Sequence, residues 1–187
     1  MHRVFATEGI VLGKRSAGEE NTLVLILTRE LGLVRASARA ARRENSKLRY
    51  GLETLTQAKF SLIRGKYEWK ITGAQEISHA LLANTAVGRQ AAGRIAKLIL
   101  RLINGEEPQQ ELYTTVSDGL AALARGVDVE AVLVLRILAH LGYLPDTKEL
   151  KPFIERDFFS IELAEEVAAS RKLLFKTINE SLGATGL

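Results

Sequence analysis

Apolar and polar residues alternate in short runs up to about residue 75, then recur every three or four positions to the end of the chain. The first pattern predicts strands and the second helices, because side chains repeat every two residues on a strand and every 3.6 on a helix. Strands are expected at residues 5–15, 22–28, 33–39, 55–64 and 67–74. The second ends at Arg29-Glu30-Leu31-Gly32, a turn signal, and Arg64-Gly65-Lys66 joins the last two as a tight hairpin. Residues 40–53 fit no strand and form the longest connection of this half. Five strands with a long insertion between the third and fourth suit an OB-type barrel, with an SH3-like barrel as competitor.

In the second half, residues 88–104 place Ala91, Ile95, Leu98, Ile99 and Leu102 on one helical face. Pro108 opens a second helix that Arg125-Gly126 stops. Residues 127–141 are apolar nearly all round, as in a helix at the centre of a bundle, and Gly142-Tyr143-Leu144-Pro145 ends them. After a linker to about residue 160, Leu163, Val167, Leu174, Ile178 and Leu182 mark one last helix. The expected fold class is α+β: an all-β OB-fold domain at residues 1–75 followed by an all-α helical bundle at residues 76–187. The barrel is expected to fold nearly alone, whereas the helices need one another.

Composition narrows the picture. With 47% hydrophobic residues over 187 positions the chain can bury a core. It has no cysteine, which excludes disulfides and thiolate metal sites. The N-terminus lacks a signal-peptide core and no stretch approaches about 18 apolar residues, so a cytoplasmic protein is expected, with no membrane partner. The net charge of +4 conceals a split: residues 1–75 hold 14 Lys+Arg against 7 Asp+Glu, and the rest 12 against 15. Such asymmetry points to a basic module that attracts phosphates.

The cations cluster. Arg39, Arg42, Arg43, Lys47 and Arg49 fall within eleven residues that hold one acid, Glu44. Arg35, Ser37 and Arg39 share one side of the third strand, with Val34, Ala36 and Ala38 on the other. Arginine forks hold phosphates and stack on bases, whereas an isolated charge run is more often a solvated loop. Arg64 and Lys66 lie beside Tyr67 and Trp69, which as strand residues two apart would share a face and either stack bases or pack inside with Ile71. Arg94, Lys97 and Arg101 form a stripe on the first helix, ordinarily just its wet side. Arg136 and His140, an i, i+4 pair on the apolar helix, call for an internal acceptor (Asp118 or a helix-end carbonyl) or for a partner's carboxylate. The histidines His2, His79 and His140 have no ligand spacing, and there is no Walker-type glycine loop. Acids in the first half are few and scattered, unlike a two-metal nuclease site. No enzyme, metal or cofactor is expected.

Several segments, taken in order, resemble the bacterial RecO family. They are Thr7-Glu8-Gly9-Ile10-Val11-Leu12, Gly18-Glu19-Glu20-Asn21-Thr22-Leu23, the turn from Leu27 through Gly32 to Ala36, the basic stretch from Ala38 to Leu48, and Leu141-Gly142-Tyr143-Leu144-Pro145. The likeness covers the barrel well and the helical half thinly. It implies a DNA-binding mediator of recombination and repair that anneals complementary single strands and also binds duplex. It further implies cooperation with RecR, displacement of single-strand-binding protein through its acidic tail, and loading of RecA, hence association with the nucleoid. By the same resemblance, Arg35, Arg39, Arg42, Arg43, Lys47 and Arg49 would hold phosphates, and Arg136 is the candidate seat for the acidic tail; Arg64 and Lys66 are further DNA-binding candidates from the residues themselves. Many members carry a four-cysteine zinc module after the Gly-Tyr-x-Pro turn; here only residues 146–159 stand there. From the residues alone, an RNA-binding OB accessory protein and a protein–protein adaptor remain open.

Overall fold

A computed structural model describes residues 3–17, 21–39, 41, 46, 48–78, 85–156 and 158–184. The chain divides into two compact units, Met1–Leu82 with Leu102–Tyr113, and Ala83–Arg101 with Thr114–Leu187.

The first unit is built on five strands: β1 (Val4–Ala17), β2 (Asn21–Thr28), β3 (Gly32–Ala38), β4 (Gln57–Arg64) and β5 (Trp69–Ser78). They close into a barrel in the order β1-β2-β3-β5-β4, with β4 returning to β1. This is the five-stranded OB-type barrel that the alternation predicts. β1 serves two neighbours, pairing with β4 from Val4 to Ile10 and with β2 from Gly9 to Ala17. Its register with β2 slips between Val11 and Gly13, a bulge that bends the strand. There Val11 donates its N–H to the Thr56 carbonyl and accepts from the Leu55 N–H, at 3.0 and 2.7 Å. Leu55 takes a left-handed backbone (φ 66°) to reach it, which is why β4 starts at Gln57 and not at residue 55.

The barrel core holds Val11, Val24, Ile26, Val34, Ala36, Phe60, Leu62, Trp69 and Ile71. β3 alternates as its sequence implies: Val34, Ala36 and Ala38 are fully buried and Arg35 is exposed. The β2–β3 turn is fixed by Thr28, whose hydroxyl donates to the Gly32 carbonyl and accepts from the Leu31 N–H, at 2.7 and 3.0 Å. Gly32 has φ +70°, and a Cβ there would meet the Glu107 carbonyl oxygen at 2.3 Å.

That contact belongs to the weakest seam. β3 and β5 join in parallel through two pairs, Ala36–Trp69 and Ser37–Lys70. The segment Leu102–Tyr113, distant in sequence, is part of this unit and reinforces the seam. Its Glu106 accepts from the Trp69 indole N–H (3.0 Å) and from Arg64 Nη1 (2.8 Å). Tyr113 accepts at its phenol oxygen from the Gln57 amide, 3.0 Å away. The barrel is thus less self-sufficient than its own residues suggest. An acid in a loop reads as solvated, so its partners were invisible in sequence.

The β4–β5 hairpin also differs from expectation. Arg64 pairs directly with Trp69, so residues 65–68 form a four-residue turn, closed by the Gly65 N–H on the Glu68 carbonyl at 3.0 Å. Tyr67 therefore sits on the turn, 87% exposed, while Trp69 opens the strand at 2%. The two do not share a face. Trp69 packs edge-on against Phe5, centroids 5.2 Å apart, which takes it out of any base-stacking role.

The second unit is helical. The helices are α1 (Ala86–Leu102), α2 (Gln110–Ala124), α3 (Glu130–His140), α4 (Lys151–Ile154), α5 (Ile161–Ala169) and α6 (Arg171–Ala184). α3 buries Val132, Leu133, Leu135, Arg136, Ile137 and Leu138 and packs against α4 and α6, so it is the central helix its composition implied. Leu133 lies where a Cβ on Gly119 of α2 would stand, 2.6 Å away. α3 ends in a Schellman turn: Gly142 (φ +74°) donates to the Ala139 carbonyl and Tyr143 to that of Leu138, at 3.0 and 2.9 Å. The last helix is two: α5 is capped by Ser160, whose hydroxyl accepts from the Leu163 N–H, and Ser170 separates α5 from α6. The interval of seven between Val167 and Leu174 spans that break. Among the described residues no helix is long and apolar enough to cross a membrane.

Two outcomes follow for the barrel. Glu106→Ala leaves the buried Trp69 N–H without its acceptor and is expected to cost about 1–3 kcal/mol, with Glu106→Gln milder because an amide oxygen still accepts. Denaturant unfolding read through Trp69, the sole tryptophan, checks this. Burial raises the Tyr113 phenol above its ordinary value of 10.0. The unfolded chain ionises first, so this contribution is intact below about pH 10 and is lost as pH climbs toward the folded value. Tyr113→Phe should flatten the alkaline fall in stability, measured by unfolding between about pH 9 and 11.

Candidate nucleic-acid interface

Register decides which cations meet. Pairing carries one row across four strands, Arg15 on β1, Leu23 on β2, Ser37 on β3 and Lys70 on β5. At about 4.8 Å per strand, Arg15 and Lys70 stand about 14 Å apart along it. Arg35 lies two residues from Ser37 on the same side, and Arg39 two residues beyond, in the turn that follows the strand. Arg15, Arg35, Arg39 and Lys70 are all exposed, and among the described residues none of them makes an ion pair. Leu23, between them in the row, is buried at 5% exposure. Ser37 donates its hydroxyl to the Trp69 carbonyl, tying the row to the seam at 3.3 Å.

Beside this row a cavity of about 570 Å³ opens between the β1–β2 hairpin and the β3–β4 connection. Lys14, Arg15, Ser16, Thr22, Ala41, Arg49, Leu52 and Glu53 line it. Lys14 is neutralised by Glu53 at 2.7 Å, leaving Arg15 and Arg49 as the cations whose charge is uncompensated among the described residues. A cavity with two such guanidiniums and two hydroxyls suits an anion with several acceptor oxygens.

The other residues singled out by sequence fall as follows. Arg42, Arg43 and Lys47 lie outside the described residues, as do His2 and His79. Arg64 pairs with Glu106 and sits 5.1 Å from the Trp69 ring centroid, so its charge is engaged within the barrel. Lys66 is exposed on the hairpin turn, 5.0 Å over the Tyr67 ring. In the helical unit Arg94 is held by both oxygens of Glu130, at 2.6 and 2.7 Å, and this hydrogen bonding raises its pKa; Lys97 and Arg101 are exposed. Arg136 is 4% exposed; its Nε donates to the Phe153 carbonyl in α4 (2.8 Å) and its guanidinium lies 4.4 Å over Phe159. That is the internal helix carbonyl its burial demanded. His140 shares a hydrogen bond with the Thr115 hydroxyl at 2.9 Å. Among the described residues no three His, Asp or Glu side chains gather as a metal would require.

Sequence reasoning missed Lys14, Arg15 and Lys70. Each sits in an unremarkable strand, and only the pairing brings them to Arg35, Arg39 and Arg49.

Comparison with known proteins points to one family. Residues 1–77 match the family model described as the recombination protein O N terminal, and residues 90–149 the one for its C terminal. The DNA repair protein RecO of Heliobacterium modesticaldum is 33% identical over 147 residues, covering 77% of this chain and 54% of that protein. RecO of Nostoc sp. is 33% identical over 141 residues (75% and 48%) and that of Nostoc punctiforme 34% over 143 (75% and 47%). The chain spans about half the length of these relatives. With both family models matched in order, one on the barrel and one on the helices, the chain belongs to the RecO family.

Proposed function

We propose that the chain acts in DNA repair and recombination as a non-enzymatic DNA-binding mediator. It binds single- and double-stranded DNA through the barrel, anneals complementary strands, and helps load recombinase onto DNA coated by single-strand-binding protein. The observation that carries this reading is the set of exposed cations without ion pairs among the described residues, Arg15, Arg35, Arg39, Arg49 and Lys70, of which Arg15 and Arg49 line one cavity of the barrel. Such a surface neutralises phosphates without engaging base edges, so two strands that repel each other can approach and pair. Arg42, Arg43 and Lys47 follow Arg39 in the chain and add to the same polyanion-binding set. RecR, the acidic tail of single-strand-binding protein, and RecA are the partners this reading proposes. The burial of Arg136 and its bond to Phe153 favour a packing role for that residue over tail binding.

The test is electrostatic. If about six phosphates of a single strand are engaged, log affinity falls against log salt with a slope near −4. Arg39→Glu with Arg49→Glu should weaken binding alike for all sequences and make the slope shallower by about 1.4, two contacts' worth. Annealing in the presence of single-strand-binding protein should fall with it. Unchanged binding and slope would remove the interface; equal displacement by matched RNA would favour an RNA-binding accessory role.

A further inference from the structure

The β3–β4 connection carries an aromatic ring that the barrel does not use. Residues Tyr50–Leu52 form one 3₁₀ turn, with Arg49 at its head in helical backbone (φ −51°, ψ −49°). At three residues per turn, positions i and i+3 eclipse, so Arg49 and Leu52 point the same way; both line the basic cavity. Gly51, a third of a turn before Leu52, faces β5 so closely that a Cβ would stand 2.9 Å from that of Ala74. The remaining direction belongs to Tyr50, which is 67% exposed. The turn is anchored on two of its three sides, by Leu52 at 3% exposure in the barrel core and by Gly51 against the strand. Backbone bonds from Leu52 N–H to the Arg49 carbonyl and from Glu53 N–H to that of Tyr50, 3.3 and 3.4 Å, hold it closed.

Tyr50 differs from the barrel's other exposed tyrosine. Lys66 already covers the Tyr67 ring at 5.0 Å, whereas among the described residues no ring or cation lies on Tyr50. A ring uncovered among the described residues, next to an arginine that lines the basic cavity, has the layout of one nucleotide: phosphate inside, base outside. We infer that Tyr50 is a base-stacking platform which selects unpaired nucleotides, taking one base on its face while Arg49 and Arg15 hold an adjoining phosphate. The inference rests on the reading of the barrel as a DNA-binding surface and adds what that reading lacks, a reason for single strands to be preferred over duplex. In duplex DNA every base face is covered by its neighbours, so the ring gains nothing there.

The test compares wild type, Tyr50→Ala and Tyr50→Phe by fluorescence anisotropy on three probes: a short oligothymidylate, the same strand with abasic residues, and a duplex of the same length. Loss of one stacked base should weaken oligothymidylate binding by Tyr50→Ala about 5- to 150-fold, since such a contact contributes about 1–3 kcal/mol and each 1.4 kcal/mol is tenfold. Tyr50→Phe should stay near wild type, and all three proteins should bind the abasic strand and the duplex equally. Wild-type binding to oligothymidylate with Tyr50→Ala unchanged overturns the stacking role alone, as does an equal loss on the abasic strand. Failure of the wild type to bind any of the probes overturns the DNA-binding reading and the stacking role with it.

Discussion

A small barrel is only as closed as its shortest seam, and here β3 and β5 meet through two residue pairs. Antiparallel ladders of seven or eight pairs hold the other joints apart from that one. The indole of Trp69 sits at the short seam with its ring in the core and its N–H directed at Glu106. A buried donor without an acceptor is costly, so the carboxylate does more than neutralise Arg64: it makes the tryptophan tolerable at the place where the barrel is thinnest. Ser37 and Lys70, which belong to the proposed interface, are paired across that same seam. The spacing of the cations therefore depends on an interaction made on behalf of the core.

The basic face gains from what surrounds it. Its charges are exposed, so each interacts weakly with any single phosphate in water, and affinity has to come from number and from released counterions. Arg15 and Arg49 also line a cavity together with Ser16 and Thr22. An oxyanion there meets directed donors rather than diffuse charge.

Much of the fold was legible in the sequence because burial imposes period. The alternation of Val34, Ala36 and Ala38 against Arg35 announced which side of β3 faced in, and the uniform apolarity of α3 announced a central helix. Glycine placement announced the end of α3, since only a residue at ease with positive φ closes the Schellman turn at Gly142. What the sequence hid was set by pairing between distant residues. The four-residue turn that moved Tyr67 off the strand depends on Arg64 facing Trp69, and the break at Ser170 leaves the apolar spacing of α5 and α6 intact. Arg35, Arg39 and Arg49 were legible as parts of a charge run; Arg15 and Lys70 joined their row through register alone.

The barrel unit is not one continuous stretch of chain. It takes in Leu102–Tyr113, after the whole of α1 has intervened. During synthesis at about 5–20 residues per second, strands β1 to β5 leave the ribosome seconds before the segment that supplies Glu106 and the backbone against Gly32. Until then the emerging sheet has an under-secured edge, the situation in which strands pair with the wrong neighbour. A fragment cut at the end of β5 would be left permanently at that stage.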